Sequence, residues 1–214
     1  KVVEAGDGVG GTWYWNRYPG ARCDSESHSY SYYFDKELLE EWQWSERYPG
    51  HAEVVRYLNY AADKLDLKRD IHFNSRVLSA HYSQSENRWI VKTEDGREFV
   101  CTYLITAVGC LSSTNIPKFP GHESFEGEWY HTGQWPHEGV DFKGKRVGQI
   151  GTGSTGIQAV PVIAETAKHL TVFQRTANYS VPAANGPLSP DFQKYVQENR
   201  EDIKKTIQTT PNGH

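Results

Sequence analysis

The residues of this chain whose types and spacing most directly imply chemistry are Gly151-Thr152-Gly153-Ser154-Thr155-Gly156. A Gly-x-Gly-x-x-Gly string alone is weak. Here it follows the apolar run Val147-Gly148-Gln149-Ile150 and opens the helix-like stretch from Ile157 to His169, which is the context a dinucleotide fingerprint requires. The glycines permit a tight turn and let a pyrophosphate approach backbone N–H groups at a helix N-terminus, where the dipole favours negative charge. The plain alternative is a strand-to-helix turn that happens to be rich in glycine. Pro161 is expected to bend or tighten the helix without touching its phosphate-binding end. Arg175 closes the next strand-like run, about where an NAD-binding fold, roughly 20 residues on, places a carboxylate for the ribose 2′-hydroxyl. A carboxylate repels a 2′-phosphate and a guanidinium holds one, so NADPH is favoured over NADH. The alternative is a solvated strand-end arginine.

A second strand end carries the opposite character. Glu4 follows Val2-Val3 with no arginine beside it, which suits an unphosphorylated ribose such as the adenosine of FAD, or else is an exposed strand-end carboxylate. Gly6, Gly8, Gly10, Gly11 and Gly20 come next, so residues 1–24 read as a loop built around something. A strand end followed by glycines thus occurs twice, as two nucleotide-binding halves would produce. No Ser/His/Asp or metal-ligand set competes with these signals, and no metal is expected. His131, alone among aromatic residues, reads first as a satisfied structural histidine.

The elements that must position these groups follow from periodicity. Residues 36–44 and 52–66 read as amphipathic helices. From 71 to 109 three strand-like runs, with a turn at Asp95-Gly96, fit a small antiparallel meander whose last strand extends to Gly109. Residues from Pro117 to about 140 lack periodicity and read as a linker. Lys143 to Arg175 then forms a βαβ unit, and residues 189–208 a polar helix. The 214 residues carry 23 Lys plus Arg against 27 Asp plus Glu, a net charge of −4 that argues against a nucleic-acid binder relying on general basicity. No apolar run approaches the ~18 residues of a membrane span, and no leader is evident, so a cytoplasmic protein without membrane partners is expected. Cys23, Cys101 and Cys110 fit neither a disulfide framework nor a metal knuckle and are read as reduced, buried small hydrophobes. There is no Met, and the chain opens in mid-strand, so it is read as an internal fragment.

Two stretches carry a resemblance. Gly10 to Asp24, GGTWYWNRYPGARCD, together with Phe125-x-Gly127-x-x-x-His131-x-x-x-Trp135-Pro136, resembles the Baeyer–Villiger monooxygenases, the class B flavoprotein monooxygenases, and especially the phenylacetone monooxygenase-like members. The second pattern matches that family's fingerprint at every fixed position. The resemblance implies an α/β, two-dinucleotide-binding-domain flavoprotein: a Rossmann-like FAD domain with an inserted Rossmann-like NADPH domain, here incomplete at both ends. Residues 1–115 would be part of the FAD-binding domain, 116–140 the interdomain linker with the fingerprint, and 141–214 the first part of the NADPH-binding domain. Glu4, Thr12, Trp13, Tyr14, Trp15, Asp24, Tyr30 and Val77 would line FAD, although the aromatic cluster and Tyr30 also suit an ordinary core. Arg22, Cys23 and Asp24 would face the nicotinamide. Gly151, Thr152, Gly153, Ser154, Thr155, Gly156, Ile157, Gln174 and Arg175 would hold the rest of NADPH.

The implied activity is oxidation of ketones to esters or lactones with NADPH and O2 through a C4a-peroxyflavin. Asp24 and His131 are the catalytic assignments: Asp24 would orient an arginine outside this chain, and His131 would fix the linker as the NADPH domain moves. The isolated fragment is expected to be inactive. Alternatives are a flavin-containing monooxygenase oxygenating nitrogen or sulfur, which Trp135-Pro136 argues against, and a non-catalytic nucleotide-binding fragment. The preferred ketone and the oligomeric state are not legible.

Overall fold

β-branched residues at alternating positions and helical spacing of apolar residues decide most of the elements. A computed structural model describes residues 1–210. In chain order they are β1 (Val2–Val3), α1 (Thr12–Trp15), α2 (Lys36–Glu41), α3 (His51–Lys64), β2 (Ile71–His72), β3 (Val77–Ser83), β4 (Arg88–Thr93) and β5 (Glu98–Cys101). Then come β6 (Arg146–Ile150), α4 (Ser154–Thr166), β7 (His169–Phe173), α5 (Pro190–Glu198) and α6 (Arg200–Thr209). They divide into two compact units: Lys1–Trp15 with Leu58–Phe125, and Asn16–Tyr57 with the described residues from Glu126 onward.

In the first unit β1 and β2 pair in parallel, and β3, β4 and β5 form the expected antiparallel meander. Asp95 fixes its second turn by accepting from Thr93 Oγ1 at 2.6 Å and Arg97 Nε at 2.8 Å. The strand expected to reach Gly109 ends at Cys101. Tyr103, Ile105 and Val108 beyond it are exposed, and a strand without a partner to receive its backbone hydrogen bonds does not form. The expected reading of the cysteines also changes: Cys23 is buried, Cys101 half-buried and Cys110 exposed.

In the second unit β6 and β7 run parallel with α4 between them, the expected βαβ arrangement. Pro161 lies inside α4, which nonetheless continues to Thr166, with Ala159 and Ile163 on its buried face. Asp35 caps α2 by accepting from Leu38 N–H at 2.9 Å, a contact worth about 1 kcal/mol. Leu38, Trp44, Val54 and Tyr57 are buried there, with Trp42, Trp44 and Tyr57 in mutual ring contact. The single tail helix expected over 189–208 is two helices, broken where Asn199 leaves helical geometry at φ −112° and ψ 21°.

Candidate dinucleotide site

The glycines of the 151–156 turn have separate jobs. Gly151 adopts φ +102°, a conformation that side chains disfavour, and its N–H donates to the Phe173 carbonyl at 2.9 Å, joining the turn to the end of β7. Space beside Gly151 and Gly153 is open, whereas a Cβ on Gly156 would stand 2.5 Å from the Gly151 carbonyl oxygen. A tight turn, an approachable backbone and a close helix-to-strand contact are the three requirements of a pyrophosphate cradle. Gly153 is the N-cap of α4 and no side chain caps the helix, which leaves its first turn to an anion.

The walls of this turn are polar. Gln149 Nε2 donates to the Gly151 and Gly156 carbonyls at 3.2 and 3.1 Å. Gln174 Nε2 and Asn178 Nδ2 donate to Thr152 Oγ1 at 2.8 and 3.2 Å, and Asn178 also donates to the Thr152 carbonyl at 3.0 Å. Arg175 is exposed, two residues past the end of β7, and no carboxylate engages it among the described residues. An unneutralised guanidinium beside an open glycine turn fits a phosphorylated dinucleotide. Ser154 and Ile157 are exposed, and Thr155 and Gly156 half-buried, on the first turn of α4.

The expected FAD residues are placed differently. Glu4 follows β1 and its Oε1 accepts from Gly6 N–H at 2.7 Å, while its backbone N–H donates to the His72 carbonyl at 2.9 Å. A carboxylate has about four lone-pair positions, so one backbone contact leaves room for a ribose diol. The glycine loop, however, is built around Tyr14: its ring would lie 2.7 Å from a Cβ on Gly6 and 3.2 Å from one on Gly8, and its hydroxyl donates to Asp7. Trp13 is half-buried, while Thr12 and Trp15 are exposed. Val77 begins β3, exposed.

Arg22, Cys23 and Asp24 follow a bend at Pro19-Gly20 in the second unit. The Cys23 N–H donates to the Pro49 carbonyl at 2.9 Å, and burial pushes its thiol above the ordinary range. Arg22 Nη1 lies 3.5 Å from Glu46 Oε2, and Glu46 in turn accepts from Asn185 Nδ2 at 2.7 Å. Asp24 is exposed, and its Oδ1 accepts from Gln158 Nε2 at 2.8 Å. Tyr30 is exposed in the turn that follows. His131 is the N-cap of a short 3₁₀ turn over Thr132–Gln134, where its Nδ1 accepts from Gly133 N–H at 3.1 Å. Trp135 beside it is buried, 5.7 Å from the Tyr130 ring.

Gln149, Gln158 and Asn178 are the residues the sequence reading passed over. A signal existed for Gln158, the lone polar side chain in the apolar run Ile157-Gln158-Ala159-Val160.

A parallel βαβ unit with this turn defines a dinucleotide-binding α/β protein, and the chain belongs to the pyridine nucleotide-disulphide oxidoreductase family, which its residues 29–212 match. Within that family it is 46% identical over 213 residues to the acetone monooxygenase (methyl acetate-forming) of Gordonia sp. (strain TY-5), covering 100% of this chain and 40% of that protein. It is 52% identical over 187 residues to a Baeyer-Villiger monooxygenase of Pseudooceanicola batsensis, covering 87% of this chain and 34% of that one. The solved structure of an oxidized steroid monooxygenase bound to NADP superposes with a TM-score of 0.90 at 52% identity, covering 96% of this chain and 39% of that chain. The chain spans about 40% of the length of the curated relatives it matches. These matches bear out the resemblance to Baeyer–Villiger monooxygenases and the α/β dinucleotide-binding fold class.

Proposed function

We propose that the chain is the part of a cytoplasmic Baeyer–Villiger monooxygenase that holds NADPH and one side of FAD, in a protein that oxidises a ketone to an ester or lactone with O2. The observation that carries this is the 151–156 turn, open at Gly151 and Gly153 and closed at Gly156, with Arg175 unpaired by any described carboxylate. When bound, NADPH supplies a hydride and FAD passes the reducing power to oxygen. The chain's own residues bind and orient. Ser154 to Gly156 present helix N–H groups to the pyrophosphate, Ile157, whose N–H is bonded to the Gly153 carbonyl at 2.9 Å, closes that turn beneath them, Gln174 sets Thr152 at its edge, and Arg175 takes the 2′-phosphate. Glu4 accepts the adenosine ribose hydroxyls, Thr12, Trp13, Trp15, Tyr30 and Val77 offer surface to the flavin, and Tyr14 fills the glycine loop.

Asp24 holds an arginine from outside these residues, a fixed cation of the kind that stabilises developing negative charge in a dry site. Arg22 and Cys23 set the backbone beside it. His131 acts as a positioning residue through the 3₁₀ turn that it caps. The assignment of 1–115 to FAD, 116–140 to the linker and 141–214 to NADPH divides the chain by ligand, not by packing.

The test is made on the full-length protein with NADPH, O2 and a panel of small, aromatic, large-ring and steroid ketones, thioethers and tertiary amines, with product masses recorded. The proposal expects a ketone to gain one oxygen as an ester or lactone while NADPH is consumed. Oxygenation of sulfur or nitrogen alone, with every ketone untouched, would replace it with the other monooxygenase reading.

A further inference from the structure

Gln158 lies one turn into α4, four residues after Ser154 and on the same helix face. A side-chain amide offers two acceptor and two donor positions, and here all are used. Its Oε1 accepts from Tyr18 Oη at 2.8 Å and from Arg22 N–H at 3.3 Å. Its Nε2 donates to the Arg22 carbonyl at 3.2 Å and to Asp24 Oδ1 at 2.8 Å. Gly20, at φ +75°, brings the backbone onto the same helical turn, where a Cβ would stand 2.2 Å from the Gln158 carbonyl oxygen. The segment 18–24 is therefore seated on the helix that begins at the dinucleotide turn, and Gln158 is what fixes its far end.

The charges around Asp24 explain why an amide serves there. Arg22 directs its guanidinium to Glu46 and to the Tyr48 carbonyl at 3.4 Å. Tyr18 is a neutral phenol, its pKa pushed up by burial and further by the Asp24 charge, and its hydroxyl proton is given to Gln158 Oε1. Cys23 is a protonated thiol, raised by burial. A lysine at 158 would neutralise Asp24 and a glutamate would repel it, whereas an amide orients the carboxylate and leaves its charge for a cationic partner.

We propose that Gln158 is the positioning residue for Asp24, fixing its carboxylate to the dinucleotide-binding helix so that it can hold the cation that the reaction requires. This rests on the role given to Asp24 under the proposed function, and the experiment separates the two.

In the full-length holoenzyme, Gln158→Met keeps the length of the side chain and removes its polarity, Gln158→Glu exchanges the donors for a second carboxylate, and Asp24→Asn serves as reference. Gln158→Met is expected to lower kcat for ketone oxygenation about tenfold, the equivalent of one lost hydrogen bond to a charged group, while the Kd of NADP+ stays within about threefold. Amide exchange across residues 18–24 of the ligand-free protein should quicken by about tenfold, because the Arg22 N–H loses its acceptor. Gln158→Glu should move the acid limb of the pH–rate profile upward, since two adjacent carboxylates resist being charged together. The double variant Asp24→Asn/Gln158→Met should be no slower than Asp24→Asn alone.

A wild-type rate in Gln158→Met beside a slow Asp24→Asn would overturn the inference. So would loss of NADP+ binding in Gln158→Met with an unmoved pH limb in Gln158→Glu, which would make the residue a support of α4 only. A wild-type rate in Asp24→Asn would overturn the reading of Asp24 itself, and the inference with it.

Discussion

Two stretches of the chain follow a strand end with a run of glycines, residues 4–15 and 150–157, and they use those glycines in opposite ways. In the first, the space beside Gly6 and Gly8 is taken by the Tyr14 ring from the same stretch. In the second, the space beside Gly151 and Gly153 is open, and only Gly156 is pressed against protein backbone. Glycine density reports that something approaches the main chain closely. What approaches is decided by whether a bulky side chain a few residues on folds back over the turn. Tyr14 does so because α1 is a single turn whose Trp13 N–H and Trp15 N–H are bonded to Gly10 and Gly11, which aims the ring at the strand end. Ser154 and Thr155 are too short to do the same at α4.

That contrast can be broken by substitution. The largest effect is expected from Gly156→Ala in the full-length protein, because the clashing Gly151 oxygen is backbone and cannot step aside. Overpacking at such a site costs about 3 kcal/mol, and thermal unfolding and NADP+ titration should deteriorate together. Gly6→Ala meets the edge of a ring that can shift, so a loss of about 1–2 kcal/mol with unchanged NADP+ affinity is expected. A comparable loss of NADP+ affinity there would erase the distinction between the turns. Gly153→Ala meets no protein atom within 4 Å and sits at an ordinary φ of −71°. It should leave the unfolding temperature alone and weaken NADP+ about tenfold by crowding the pyrophosphate; lowered stability instead would show that the turn is filled by protein after all.

A smaller effect should come from His28, whose ring packs edge-on to Phe192 at 5.6 Å. Burial lowers its pKa, with Arg47 adding to the fall and Glu26 opposing it. The unfolded state therefore binds the proton first. Stability is fully present above about pH 6.5 and is lost as pH falls through the lowered folded value, by at most about 1.4 kcal/mol per pH unit. Unfolding midpoints at pH 7 and pH 5 should converge in His28→Gln and diverge in the wild type. Because His28 is remote in sequence from both glycine turns, NADP+ affinity of the folded protein should follow Gly153 and not this histidine.

Much of the fold was legible where a local period exists. The βαβ unit, the meander and the helices α2 and α3 follow from alternation and from helical spacing. The failures share a cause in tertiary context. Residues 102–109 have the composition of a strand, but pairing requires a neighbour that periodicity cannot supply. The tail has the composition of one helix, and Asn199 breaks it with a backbone geometry that no spacing rule marks. In the site, glycines and Arg175 were legible because their chemistry is carried by type and position. Asn178 was not, and Gln158 showed only as a polar interruption of an apolar run, since what an asparagine in a loop or a glutamine on a helix bonds to is decided by folding.

The central claim is that the open turn and Arg175 together hold a phosphorylated dinucleotide. Titrating the full-length protein with NADPH and NADH, before and after Arg175→Ala, tests it most directly. The account predicts that the wild type prefers NADPH and that the variant loses about 1.5–3 kcal/mol of NADPH binding, with NADH almost unaffected. An unchanged NADPH-to-NADH ratio in Arg175→Ala would contradict it.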